Sequence, residues 1–212
     1  MKNFRVNWGL ALPVALAVLM CLALPAAAHH PSGGQTPDSA WAGLLSGIGH
    51  PVIGPDHFVF VVAVGLLAAL QRWGLAVPIA FVLSAVAGTG LHLAALNFPA
   101  PETTVSASVL VLGILLAVAS KPPVAWTIGF AAVAGLFHGY AYGEAIIGAE
   151  MSPLLSYLAG FSLVQLAIAF ASYSLAQKMQ QRSATQTQLN LRFAGFAIAG
   201  FGTALLTSLW LG

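Results

Sequence analysis

Apolar residues along this chain gather into long runs separated by short polar breaks. Five runs, at residues 74–96, 105–120, 124–142, 154–176 and 193–211, approach the roughly 20 residues that a helix needs to cross a bilayer. The stretch 58–70 is too short alone, and the apolar stretch 41–53 before it is cut off by Pro51, Gly54 and Pro55. A half-helix, a break, and a second half-helix with Pro55 in its first turn account for the pair. The expected fold is therefore all-α: a polytopic membrane bundle of six transmembrane helices, the first interrupted at Gly54-Pro55, forming a single domain over residues 41–212.

Composition agrees. Of 212 residues, 59% are hydrophobic and 6% charged, whereas a soluble domain carries about 25% charged residues. The net charge of +2 is too small and too scattered to suggest nucleic acid. The single cysteine, Cys21, can form neither an internal disulfide nor a thiolate cluster. No GxxxxGK[ST] loop occurs, so the chain by itself is not expected to hydrolyse ATP.

The first 28 residues have the layout of a secretory signal peptide. Lys2 and Arg5 form the positive region, residues 10–24 the apolar core, and Pro25-Ala26-Ala27-Ala28 the small-residue cleavage site. Val18-Leu19-Met20 before Cys21 lacks the small residues that precede a lipidated cysteine. With cleavage after Ala28, the mature chain begins His29-His30-Pro31 and continues as an exterior linker over residues 29–40. There the free α-amino group and an adjacent imidazole can chelate a divalent ion together.

Loop charges set the orientation. With the mature N-terminus outside, Arg72, Lys121, Lys178, Arg182 and Arg192 all fall on the cytoplasmic side, and Glu102, Glu144 and Glu150 outside. This is the positive-inside pattern. The C-terminus is then also exterior, and residues 177–191 are expected to be the long cytoplasmic loop. Trp41, Trp73, Trp126 and Trp210 lie near the predicted boundaries as interfacial anchors.

The chemistry is concentrated in GHPVIGPDH, residues 49–57. Ionisable groups in a membrane span are expensive, about 2.5 to 3.5 kcal/mol for Asp on insertion scales, and mark functional sites. Imidazole and carboxylate together suit borderline divalent ions such as nickel, cobalt and zinc. His50, Asp56 and His57 are therefore candidate metal ligands, with Gly54-Pro55 bringing His50 back toward the other two. In GLFHGYAYGE, residues 135–144, Gly135, Gly139 and Gly143 recur every four residues and predict a close helix–helix seam. His138 stands beside that seam and Glu144 at its outer end. Tyr142 is read as interfacial decoration with no ligand role. His92 follows Gly88-Thr89-Gly90-Leu91, and by its expected depth shares a site with His138. The two motifs share a G-[IL]-x-H-x5-[DE] spacing, but on one side of the membrane, unlike the opposite faces of an inverted repeat. Glu102 and Glu150 are expected to be solvated, and Gln165 and Ser162 to satisfy one another.

GIGHPVIGPDHFVFVVAVG and FHGYAYGE resemble the motifs of the HupE/UreJ family of nickel and cobalt permeases, whose signature is HPxxGxDH. His50, Pro51, Gly54, Asp56 and His57 fit it, and His138, Gly139, Ala141, Gly143 and Glu144 fit the family's second motif. Tyr142 stands where a second histidine is common. The resemblance implies uptake of Ni²⁺ or Co²⁺ across the bacterial inner membrane; the residues themselves place His50, Asp56, His57, His92, His138 and Glu144 along the expected path, with His29 and His30 as expected capture groups. It implies the ion as substrate rather than a permanent cofactor, and no enzymatic activity.

Two other classes stay open at this stage. Paired histidines such as His92 and His138 are what a b-type haem needs between helices, which would make a membrane electron-transfer subunit. An intramembrane hydrolase would pair Asp56 and a histidine with a serine, Ser46 being nearest, but no GxSxG pattern occurs.

Overall fold

A computed structural model describes residues 36–119 and 122–211. The proposed signal peptide, its cleavage site, His29 and His30 lie outside the described residues. Seven α-helices follow one another: α1 (Ala40–Ile53), α2 (Pro55–Ala68), α3 (Ala76–Leu93), α4 (Pro101–Ala117), α5 (Val124–Gly143), α6 (Met151–Arg182) and α7 (Ala184–Leu211). A single turn of 3-10 helix, Glu144–Ile146, extends α5. No strand occurs among the described residues. By length and apolar content α3, α5, α6 and α7 are long enough to cross a membrane, and α4 is a shorter apolar helix. Together α1 and α2 also pass, as one span bent by 77°.

The expected interruption is present and has a local cause. Gly54 is extended, with φ −73° and ψ 102°, and its N–H closes α1 on the His50 carbonyl at 3.0 Å. Pro55 then takes the first position of α2, where its missing N–H leaves no bond unmade. Almost every residue of α2 from His57 to Ala68 is buried, with Phe60, Val61, Ala63 and Leu67 fully sealed. A helix that is apolar all round belongs inside a bundle, and α2 is the centre of this one.

Packing registers give the helix directions. Gly43 and Gly47 of α1 meet Pro153 and Tyr157 of α6, and Gly65 of α2 meets Ala169 further along α6. Both halves of the broken span therefore run in the same sense along α6, which is a continued descent and not a hairpin. Phe81, Ala85 and His92 of α3 face Gly135, Gly139 and Gly143 of α5, again in the same sense. In contrast, α4 and α7 run oppositely, with Leu110 at Gly202 and Ala117 at Gly195.

One expectation fails. Residues 177–191 are not a long loop: α6 continues to Arg182, and α7 starts at Ala184. The segment has no glycine or proline, and its Gln, Lys, Met, Arg and Ala residues are good helix formers. Polarity marked it as outside the hydrocarbon, not as unfolded. Ser183 makes the joint, its Oγ accepting from the Gln186 N–H at 3.3 Å. The extended ends also close the bundle: Gln177 and Gln180 donate to the Ala69 carbonyl at 3.4 and 3.3 Å, and Arg192 Nε to the Ala117 carbonyl at 3.1 Å. These are the otherwise unmade carbonyls at the ends of α2 and α4. Replacing Ser183 by Ala removes the cap of α7 and is expected to lower stability by about 1 kcal/mol. A thermal melt of the purified protein checks this; an unchanged midpoint would mean that the hydroxyl caps nothing.

Candidate metal site

The first turn of α2 supplies the polar groups. Asp56 Oδ1 accepts from the His57 backbone N–H at 2.9 Å, so the carboxylate sits on the unbonded N–H end of the helix, where negative charge is favoured. Its other oxygen, Oδ2, is 4.0 Å from His57 Nε2. On the far side of the ring, His57 Nδ1 lies 2.8 Å from His138 Nδ1 of α5. His138 Nε2 in turn lies 3.0 Å from Ser108 Oγ of α4. Phe60 and Phe81 wall His138, with ring centroids at 4.3 and 5.5 Å. The two histidines and Ser108 are all buried.

His50, from the last turn of α1, lies with its ring 5.6 Å from that of His57. Its Nδ1 is 3.0 Å from the Tyr157 hydroxyl, which donates to the Tyr142 carbonyl at 2.9 Å. Tyr142 fills the angle between the two imidazoles, at 4.9 Å from His50 and 4.5 Å from His57. It is fully buried, and its hydroxyl has no hydrogen-bond partner. The interfacial reading of Tyr142 is thus corrected: the α3–α5 seam turns this side chain inward.

His50, Asp56, His57 and His138 are thus neighbours, as the sequence suggested. Among the described residues, no three His, Cys, Asp or Glu side chains converge tightly enough to hold a metal ion, and His57 and His138 are bonded directly to each other. His138 precedes the end of α5 by five residues and Ser108 follows the start of α4 by seven. At 1.5 Å per residue, the cluster lies about 8 to 10 Å inside the ends of those helices.

His92 and Glu144 stand apart from it. His92 packs on Tyr140, with centroids 4.2 Å apart, and against Gly143, while its Nδ1 is buried without a partner. Because α3 and α5 run side by side in one direction, position 92 pairs with 143 and not with 138. The expected common depth of His92 and His138 is therefore corrected by more than a helical turn. Glu144, on the 3-10 turn, is exposed. Both ring nitrogens of His138 are also engaged within the protein, so no axial haem pair is assembled. Ser46 Oγ is buried with no hydrogen-bond partner, so no base activates it. Glu102 and Glu150 are exposed, as expected. Gln165 is fully buried with both amide atoms unpartnered, so it is not satisfied by Ser162.

Ser108 and Tyr157 were not among the residues expected from sequence. Neither carries a signal, because a serine in an apolar helix usually bonds its own turn and a tyrosine near a helix start reads as an anchor.

A bundle whose central half-helix begins with a carboxylate and an imidazole inside the apolar layer is an integral membrane protein with an intramembrane ionisable site. Such sites mark substrate and ion pathways. The chain belongs to the HupE/UreJ family: residues 16–205 match the family described as HupE / UreJ protein. It is 34% identical over 192 residues to Protein HupE of Rhizobium leguminosarum bv. viciae, covering 89% of this chain and 94% of that relative. The family is one of transporters, not enzymes, related to nickel and cobalt transport. No solved structure matches the chain.

Proposed function

We propose that this protein is a secondary permease that takes up divalent nickel or cobalt across the cytoplasmic membrane through the site at the break between α1 and α2. The observation that carries this reading is the placement of Asp56, His57 and His50 together at that break, on the central helix and beneath the outer ends of α4 and α5. The ion approaches past Glu144 and His92, with His29 and His30 as capture groups at the mature N-terminus. It sheds part of its water at Asp56 and the two imidazoles, then passes inward along α2. An inside-negative potential drives it, since a double charge crossing 100 mV gains about 4.6 kcal/mol. Release requires that the site hold the ion only loosely.

The packing directions of the helices support an even number of crossings; that both termini are outside, and that a signal peptide is removed after Ala28, rests on the loop charges and the leader sequence. Cysteine placed at Gly148 is then expected to react with an impermeant thiol reagent from outside intact cells, and cysteine at Ser183 only after the membrane is opened. The reverse pattern would invert the orientation. For substrate, cells producing the protein are expected to accumulate labelled nickel, with cobalt competing more strongly than zinc. Accumulation no greater than in cells without the protein would remove the reading.

A further inference from the structure

We infer that two hydrogen-bond relays, each anchored on a backbone carbonyl, set the tautomers of His50 and His57, and that Ser108, Tyr157 and His138 are positioning residues rather than metal ligands. The inference rests on the transport reading and specifies how its site is held ready.

The first relay starts at Ser108. Its Oγ lies 2.6 Å from the Val105 carbonyl oxygen. Two oxygens this close require a hydrogen between them, and a carbonyl has none, so the serine proton is directed at Val105. Ser108 Oγ can then only accept from His138, which must carry its proton on Nε2. A neutral imidazole has one N–H, so His138 Nδ1 is an acceptor. The 2.8 Å contact between the two Nδ1 atoms is therefore an N–H of His57 donating to His138. The lone pair of His57 falls on Nε2, the nitrogen that faces Asp56 Oδ2 at 4.0 Å.

The second relay repeats this logic between α1, α6 and α5. The Tyr157 hydroxyl donates to the Tyr142 carbonyl at 2.9 Å and so accepts from His50 Nδ1 at 3.0 Å. That puts the lone pair of His50 on Nε2 as well. Two imidazoles from the two sides of the Gly54 break thus carry the same tautomer, each held through one hydroxyl to one carbonyl. Orienting groups of this kind behind ligating histidines fix ring direction and raise basicity. His138 has both nitrogens committed within the first relay, which leaves it no lone pair for an ion. Its part is to accept from His57, and the buried wall of Phe60 and Phe81 keeps it there.

The test uses the full-length protein in detergent, with isotope-labelled histidine and nickel titration. Imidazole nitrogen NMR is expected to show His50 and His57 protonated on Nδ1 and bare on Nε2, with nickel perturbing the two Nε2 resonances and not those of His138. Ser108→Ala and Tyr157→Phe are each expected to weaken nickel binding about 10- to 100-fold. Ser108→Thr, which keeps the hydroxyl, is expected to restore both the affinity and the His57 tautomer. A His57 protonated on Nε2 in the unaltered protein would overturn the relay, whether or not any variant folds. So would unchanged affinity in both Ser108→Ala and Tyr157→Phe. Failure of the transport reading looks different: His57→Gln would then bind and carry nickel as the unaltered protein does.

Discussion

Nickel uptake by cells producing the Asp56→Asn protein is expected to fall to that of cells without the protein. The substitution is chosen because an amide oxygen keeps the hydrogen bond to the His57 N–H, so the start of α2 keeps its shape. Only the charge is lost. In partly buried surroundings, two unit charges 4 Å apart interact by about 4 kcal/mol, and by twice that for a divalent ion. Desolvation of ion and carboxylate offsets most of this. If a quarter survives, about 2 kcal/mol, affinity still drops more than tenfold. Asp56→Ala is expected to give the same loss. Uptake equal to the unaltered protein in Asp56→Asn, at matched protein level, would mean that the carboxylate serves the helix end and not the ion.

The second large effect is structural and strikes the same site from behind. Gly139→Leu is expected to lower the yield of folded protein severely and to abolish uptake. A Cβ at position 139 would collide with the Ala85 carbonyl of α3, which cannot swing aside as a side chain can. The same contact holds Thr89 Oγ1 at 2.8 Å from the Gly139 carbonyl, one buried bond that ties α3 to α5. Overpacking costs about 1 to 3 kcal/mol, and loss of the buried bond adds about 1. His138 is the adjacent residue, so any separation of α3 from α5 also pulls it from His57. Gly129→Leu is the control on the same helix, because nothing lies within 4 Å of a Cβ there. Equal yields and melting points for the two variants would show that the seam tolerates bulk and that the packing account is wrong.

Much of this was legible in the sequence because lipid simplifies the code. Apolar length is enough to divide the chain into helices, and the helix break at Gly54-Pro55 announces itself through a glycine and a proline side by side. The glycine spacing at 135, 139 and 143 predicts a close seam on α5, since small residues are what close approach demands, and the structure adds that α3 is the partner. The same seam overturned the pairing of His92 with His138. Register along two adjacent helices is set by contacts of particular side chains, which depth estimated from loop ends does not resolve. The polar composition of the 177–191 segment reads as loop, although nothing in it stops a helix. Ser108, Tyr157 and the inward turn of Tyr142 could not have been found by motif. Their roles come from which hydroxyl lies beside which carbonyl and which ring, and that exists only once α1, α4, α5 and α6 are packed together.

The most direct test of the transport claim uses purified protein in liposomes with an imposed inside-negative potential and no nucleotide. The unaltered chain is expected to concentrate nickel inside, up to roughly two thousandfold at 100 mV from the 4.6 kcal/mol that the potential supplies, while Asp56→Asn liposomes stay at the level of empty ones. No accumulation by the unaltered protein, or equal accumulation by both, would contradict it.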